Sequence, residues 1–143
     1  MPPLKIGKKW KPQKSSSSEV KAEAVKILRT VGSGEAFYFY EDIGKPTGES
    51  ANSLSDFLEK IKSVKLESLA FHLQRRDFQN WINKILGDSK LANRLGRIPL
   101  SQDENIRVKI QEVVKGRIKE LGEASLTLLV GEDLAVVSQS STS

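Results

Sequence analysis

The chain has 143 residues, 38% of them hydrophobic, no cysteine, and a formal net charge of +5. This suits a single compact domain with tails, excludes disulfides and thiolate metal sites, and leaves no apolar run near the ~20 residues of a membrane span. A chain without cysteine is expected in a reducing, cytoplasmic setting, and the basic N-terminus lacks the apolar stretch of a secretory signal.

The charge is unevenly placed. Residues 1–18 contain Lys5, Lys8, Lys9, Lys11 and Lys14 and no acid; removing these five from 23 basic residues leaves 18 against 18 acidic ones. With three prolines and a serine run, this stretch reads as a disordered basic arm. Its lysines suit electrostatic capture of nucleic-acid phosphates or of an acidic protein, and Trp10 is placed to stack on a base. The bland alternative is a solvated tail.

A helix is expected from Ser18, with Val20, Ala24, Ile27, Leu28 and Val31 on one face and Gly32 closing it. The Gly32-Ser33-Gly34 segment follows a helix instead of a strand, the wrong order for a phosphate-cradling loop, and reads as a hinge. Glu35–Glu41 is the clearest strand, with Phe37 and Phe39 opposed to Tyr38 and Tyr40. Residues 43–50 read as a Gly/Pro turn. Ser53 then caps a helix that turns Leu54, Phe57, Leu58, Ile61 and Val64 inward and leaves Lys60, Lys62 and Lys65 solvated.

The stretch from Glu67 to Leu95 is the most informative. Residues 69–73 fit either a short strand or a helical turn. Phe78, Trp81, Ile82, Ile85 and Leu86 form a helical stripe that starts after Asp77, a carboxylate placed to cap it, and ends at Gly87. Asp88 caps a further short helix that buries Leu91, Ala92 and Leu95. A long helix over 102–121 is stopped by Gly122, and its stripe packs on its own domain or forms a dimer seam. The two apolar runs of 125–137 suit a hairpin or a tail. The expected architecture is therefore α+β and mainly helical: a basic arm over 1–18, one domain over 19–124 with four to five helices on a small strand element near 35–41, and a C-terminal segment over 125–143. The stretches 69–73 and 125–137 are further strand candidates.

Catalytic and metal signatures are weak. One histidine removes most multi-ligand metal sites, and no strained turn presents a nucleophilic serine beside His72 and Asp77. The candidate ligand surface comprises His72, Arg75, Arg76, Asp77 and Trp81, where a guanidinium and an indole together suit anions or stacking. The plain alternative has one arginine paired with Asp77 or Glu67, the other solvated and His72 structural.

The segment FHLQRRDFQNWINKILGDSKLANRL, with Phe71, His72, Leu73, Arg75, Asp77, Phe78, Trp81, Ile82, Leu86, Gly87, Asp88, Leu91, Ala92 and Leu95 as its fixed positions, resembles a family of small archaeal and bacterial domains of unknown function. The resemblance covers about Ala36 to Leu95. It implies no particular activity; such domains standing beside sugar-active enzymes would imply an accessory or binding role. The expectation is a non-catalytic binding or adaptor module that needs no cofactor or metal. The arm would attract DNA, RNA or an acidic protein. Alternatives are an interaction or dimerisation module working through helix 102–121, and a small enzyme or sugar-binding domain using His72, Arg75 and Asp77.

Overall fold

A computed structural model describes the backbone of residues 17–142 and the side chains of residues 19–125. The elements run α1 (Ser17–Leu28), β1 (Phe37–Asp42), β2 (Lys45–Ala51), α2 (Leu54–Ser63), α3 (Leu66–Arg75), α4 (Asp77–Trp81), a π turn (Ile82–Leu86), α5 (Ser89–Gly96) and α6 (Asn105–Thr142). The mainly helical α+β class is as expected, with six α-helices and one antiparallel hairpin among the described residues.

The aromatic alternation of β1 works as period two requires: Phe37 and Phe39 are buried, while Tyr38 faces out at 47% exposure. Phe39 stacks on Phe57, and Phe37 lies edge-on to Trp81. Most of the stretch 43–50, read as a turn, is instead the second strand, Lys45–Ala51. The register runs Phe37↔Ala51, Tyr38↔Ser50, Tyr40↔Pro46 and Asp42↔Lys45, with two irregularities. Pro46 is tolerated because this two-stranded sheet leaves β2 an unpaired side. The Thr47 hydroxyl donates to Phe39 O across the irregular stretch and accepts from Glu49 N–H.

Helix caps are largely as read. The Ser53 hydroxyl accepts from Asp56 N–H, and Asp56 in turn accepts from Asn52 N–H. Lys60 is not simply solvated; its ammonium donates to Ser50 O and holds α2 against β2. Residues 69–73 are helical, not strand: α3 buries Leu69, Ala70 and Leu73, whose three- and four-residue spacing outweighs the local alternation. After Trp81 the helix widens into the π turn and ends at Gly87, whose φ of 87° is the left-handed C-cap conformation. Arg29 crosses from the end of α1 to donate to Ile85 O.

The largest departure is at the C-terminus. Helix α6 starts at Asn105 and runs 38 residues to Thr142, so neither the stop at Gly122 nor the hairpin over 125–137 is present. A glycine costs only about 1 kcal/mol in a helix interior, too little to end a helix whose Leu121 is buried immediately before it. Ile106, Ile110, Val114 and Leu121 bury the face of α6 that packs on α1, α2 and α5.

Candidate functional site

Arg76 is the only non-glycine at positive φ among the described residues (φ 66°, ψ 25°). It ends α3, with its N–H donating to His72 O and Leu73 O, and α4 begins at the next residue. This reversal folds Asp77 back beside His72. The expected capping by Asp77 gives way to a different use: its carboxylate makes no capping hydrogen bond and instead receives two side-chain donors.

His72 is 4% exposed and ringed by Phe37, Phe71 and Phe78 at centroid distances of 4.8, 5.0 and 5.4 Å. Its Nε2 accepts from Tyr40 N–H at 2.8 Å, so the ring proton sits on Nδ1, which donates to Asp77 Oδ2 at 2.8 Å. Burial lowers the His72 pKa below its ordinary 6.5, against the Asp77 hydrogen bond and charge that favour the imidazolium; the Arg75 charge lowers it a little further. Protonating Nε2 would also set a donor against the Tyr40 N–H.

Arg75 donates from Nε to the same Asp77 Oδ2 at 3.1 Å, and its guanidinium carbon lies 5.0 Å from the centroid of the Phe71 ring. Between this cluster and the hairpin opens a cleft of about 420 Å³. Tyr38, Tyr40, Asp42 and Ile43 line its hairpin side, and Phe71, Arg75, Asp77 and Asn80 the helical side. Arg75 is half exposed, and among the described residues its two Nη atoms and Asp77 Oδ1 have no hydrogen-bond partner.

The expected ligand surface is therefore divided. His72, Arg75 and Asp77 meet in the cleft, but Trp81 does not: it is 7% exposed, and its indole N–H donates to Glu35 O at 2.7 Å, anchoring the approach to β1. Arg76 points to the far side of the α3–α4 junction, toward Gly96, and borders a hollow of about 130 Å³ there. Lys5, Lys8, Lys9, Trp10, Lys11 and Lys14 lie outside the described residues. Asn80, Phe71 and the hairpin tip join the cleft although the candidate ligand surface did not include them. The Phe/Tyr alternation marks β1, but nothing local signals that Tyr40 meets His72, 32 positions away.

A second polar cluster is structural. Asp88, 2% exposed, accepts from Leu91 N–H as the cap of α5 and from Arg117 Nε and Nη2 at 2.8 and 3.2 Å. Burial opposes the Arg117 charge, but its bonds to Asp88 and Glu120 outweigh that and raise its pKa. The cluster ties α5 to α6. Among the described residues no group of three metal-ligating side chains comes together, and no helix is long and apolar enough to cross a membrane.

No curated protein and no solved structure matches the chain. Residues 36–128, which hold the hairpin, the cleft and the first part of α6, match the model of a family of unknown function, DUF5752, and the chain belongs to that family.

Proposed function

We propose that the domain is a non-catalytic binding module for nucleic acid, in which the lysines of the N-terminal segment supply long-range attraction and the Arg75–Asp77 cleft supplies the specific contact. The observation that carries this reading is the pairing of unsatisfied polar atoms, Arg75 Nη and Asp77 Oδ1, with aromatic walls in an open cleft. Binding fits His72 better than proton transfer does: both ring nitrogens are engaged, so acting as a base would cost the Tyr40 contact. Division of labour fits the charges too, since the body is formally neutral and the positive excess lies in residues 1–18.

The test is retention of the full chain on immobilised single-stranded RNA and DNA as salt is raised. Replacing Lys5, Lys8, Lys9, Lys11 and Lys14 by Gln should flatten the log–log salt slope by roughly 3, as expected for losing up to five phosphate contacts on a single strand. Equal retention on polyglutamate would point to an acidic protein instead. No retention on either nucleic acid at low salt would end this reading.

A second reading, self-association, is favoured by the length of α6. Its residues buried among the described side chains end at Leu121, while the helical backbone continues to Thr142. Along that continuation Leu126, Leu129, Val130, Leu134 and Val137 recur at helical spacing.

A further inference from the structure

The hollow of about 130 Å³ beside Arg76 is chemically unlike the Arg75 cleft. Leu73, Leu95 and Ile98 give it a buried apolar lining, and Leu100, which also lines it, is 60% exposed. Arg76 is its one charged lining residue among the described ones. The Arg76 guanidinium lies over Gly96, where a Cβ would stand 3.2 Å from Nη2, so the missing side chain leaves it room. It makes no hydrogen bond or ion pair with any described residue, whereas Arg75, Arg94, Arg107 and Arg117 each meet a carboxylate. Its φ of 66° is one that glycine takes freely, so this cation sits where the backbone disfavours a side chain. Gln79 lines the same hollow; it is 5% exposed, and its Oε1 is buried without a hydrogen-bond partner among the described residues. An unpaired buried amide group is costly until something bonds to it. A half-turn of the carboxamide exchanges its oxygen for its N–H donors, so Gln79 can also serve an anion.

We propose that this hollow binds a small aliphatic carboxylate, with Arg76 and Gln79 donating to the carboxylate and Leu73, Leu95, Ile98 and Leu100 covering its hydrocarbon. An unpaired guanidinium with no acid among the described lining residues attracts an anion, and its fork matches a carboxylate. The aliphatic walls disfavour phosphate or sulfate, whose oxygens would lose water against hydrocarbon with nothing to replace it. The volume is that of about four waters at roughly 30 Å³ each, which admits a chain of a few carbons and excludes a nucleotide. A free branched-chain acid and the C-terminus of a polypeptide ending in leucine both carry this chemistry. The site lies apart from the Arg75 cleft and does not depend on the nucleic-acid reading.

The experiment is a heteronuclear NMR titration of the full chain, following the Gln79 side-chain amide and the Ile98 and Leu100 methyl signals. The probes are isovalerate, its neutral analogue isovaleramide, and an acetylated peptide ending in leucine with a free carboxylate. Isovalerate should shift these signals saturably and bind about tenfold or more tightly than isovaleramide. Arg76→Gly removes the guanidinium and suits the left-handed backbone; it should weaken isovalerate binding about tenfold or more without lowering the melting temperature. Gln79→Leu removes the unpaired amide; it should raise the melting temperature of the ligand-free chain and weaken isovalerate binding about fivefold. Tighter binding of the peptide than of isovalerate would identify a chain end as the source, and equal or weaker binding a free acid. Saturable shifts from neither carboxylate, acid and amide binding alike, or full affinity in either variant would overturn the site.

Discussion

His72 is the chain's single histidine, and each of its ring nitrogens faces a different element. Neither contact is readable from the sequence: the pairing with Asp77 depends on the left-handed reversal at Arg76, and the bond to Tyr40 N–H depends on β1 lying along α3. Because burial lowers its folded pKa, the unfolded chain takes up a proton that the folded chain refuses. The contribution to stability is thus full above the ordinary 6.5 and lost as pH falls from there through the lower folded value. Urea unfolding at pH 7.5 and 5.5 should show the lower stability at 5.5, and His72→Gln should flatten that difference. An unchanged pH dependence in the variant would remove His72 as its source.

Local pattern decided most elements correctly, and its failures share a cause. Residues 69–73 and 45–51 each have a composition that fits more than one state, and packing chose between them: the core drew Leu69 and Leu73 onto one helical face, and pairing with β1 made a strand of a Pro- and Gly-containing segment. The cap at Asp88 was legible three residues ahead of Leu91, whereas its partner Arg117 lies 29 residues away and was not. That ion pair is buried, so removing one member strands the other. Asp88→Ala should lose about 3 kcal/mol or more in chemical denaturation, and Asp88→Asn, which keeps the cap, clearly less. Equal losses in the two variants would mean that the capping bond contributes little.

At the scale of the whole molecule, α6 is about 57 Å long at 1.5 Å per residue, and its buried residues among the described side chains run from Ile106 to Leu121. If that length serves self-association, light scattering should give a mass near twice the 15.9 kDa of one chain. Leu129→Glu combined with Leu134→Glu should return it to a monomer while leaving the cleft's ligand response intact. A monomeric mass at all accessible concentrations would discard this reading. The lysine segment and α6 lie at opposite ends of the chain, so their effects are separable by these substitutions.

The sequence by itself determined the fold class, the aromatic strand and the caps at Ser53, Gly87 and Asp88, because each depends on residues within a few positions of one another. Only the tertiary structure decided which of the candidate residues share a cleft. Arg75 and Arg76 are adjacent in sequence, yet the left-handed turn at Arg76 sends their side chains to opposite sides of the α3–α4 junction. Trp81 was claimed by the core because its ring fits against Phe37 and Phe57 while its N–H reaches Glu35 O. Side-chain direction follows from how separate elements dock, and that is not encoded in the spacing of any single one of them.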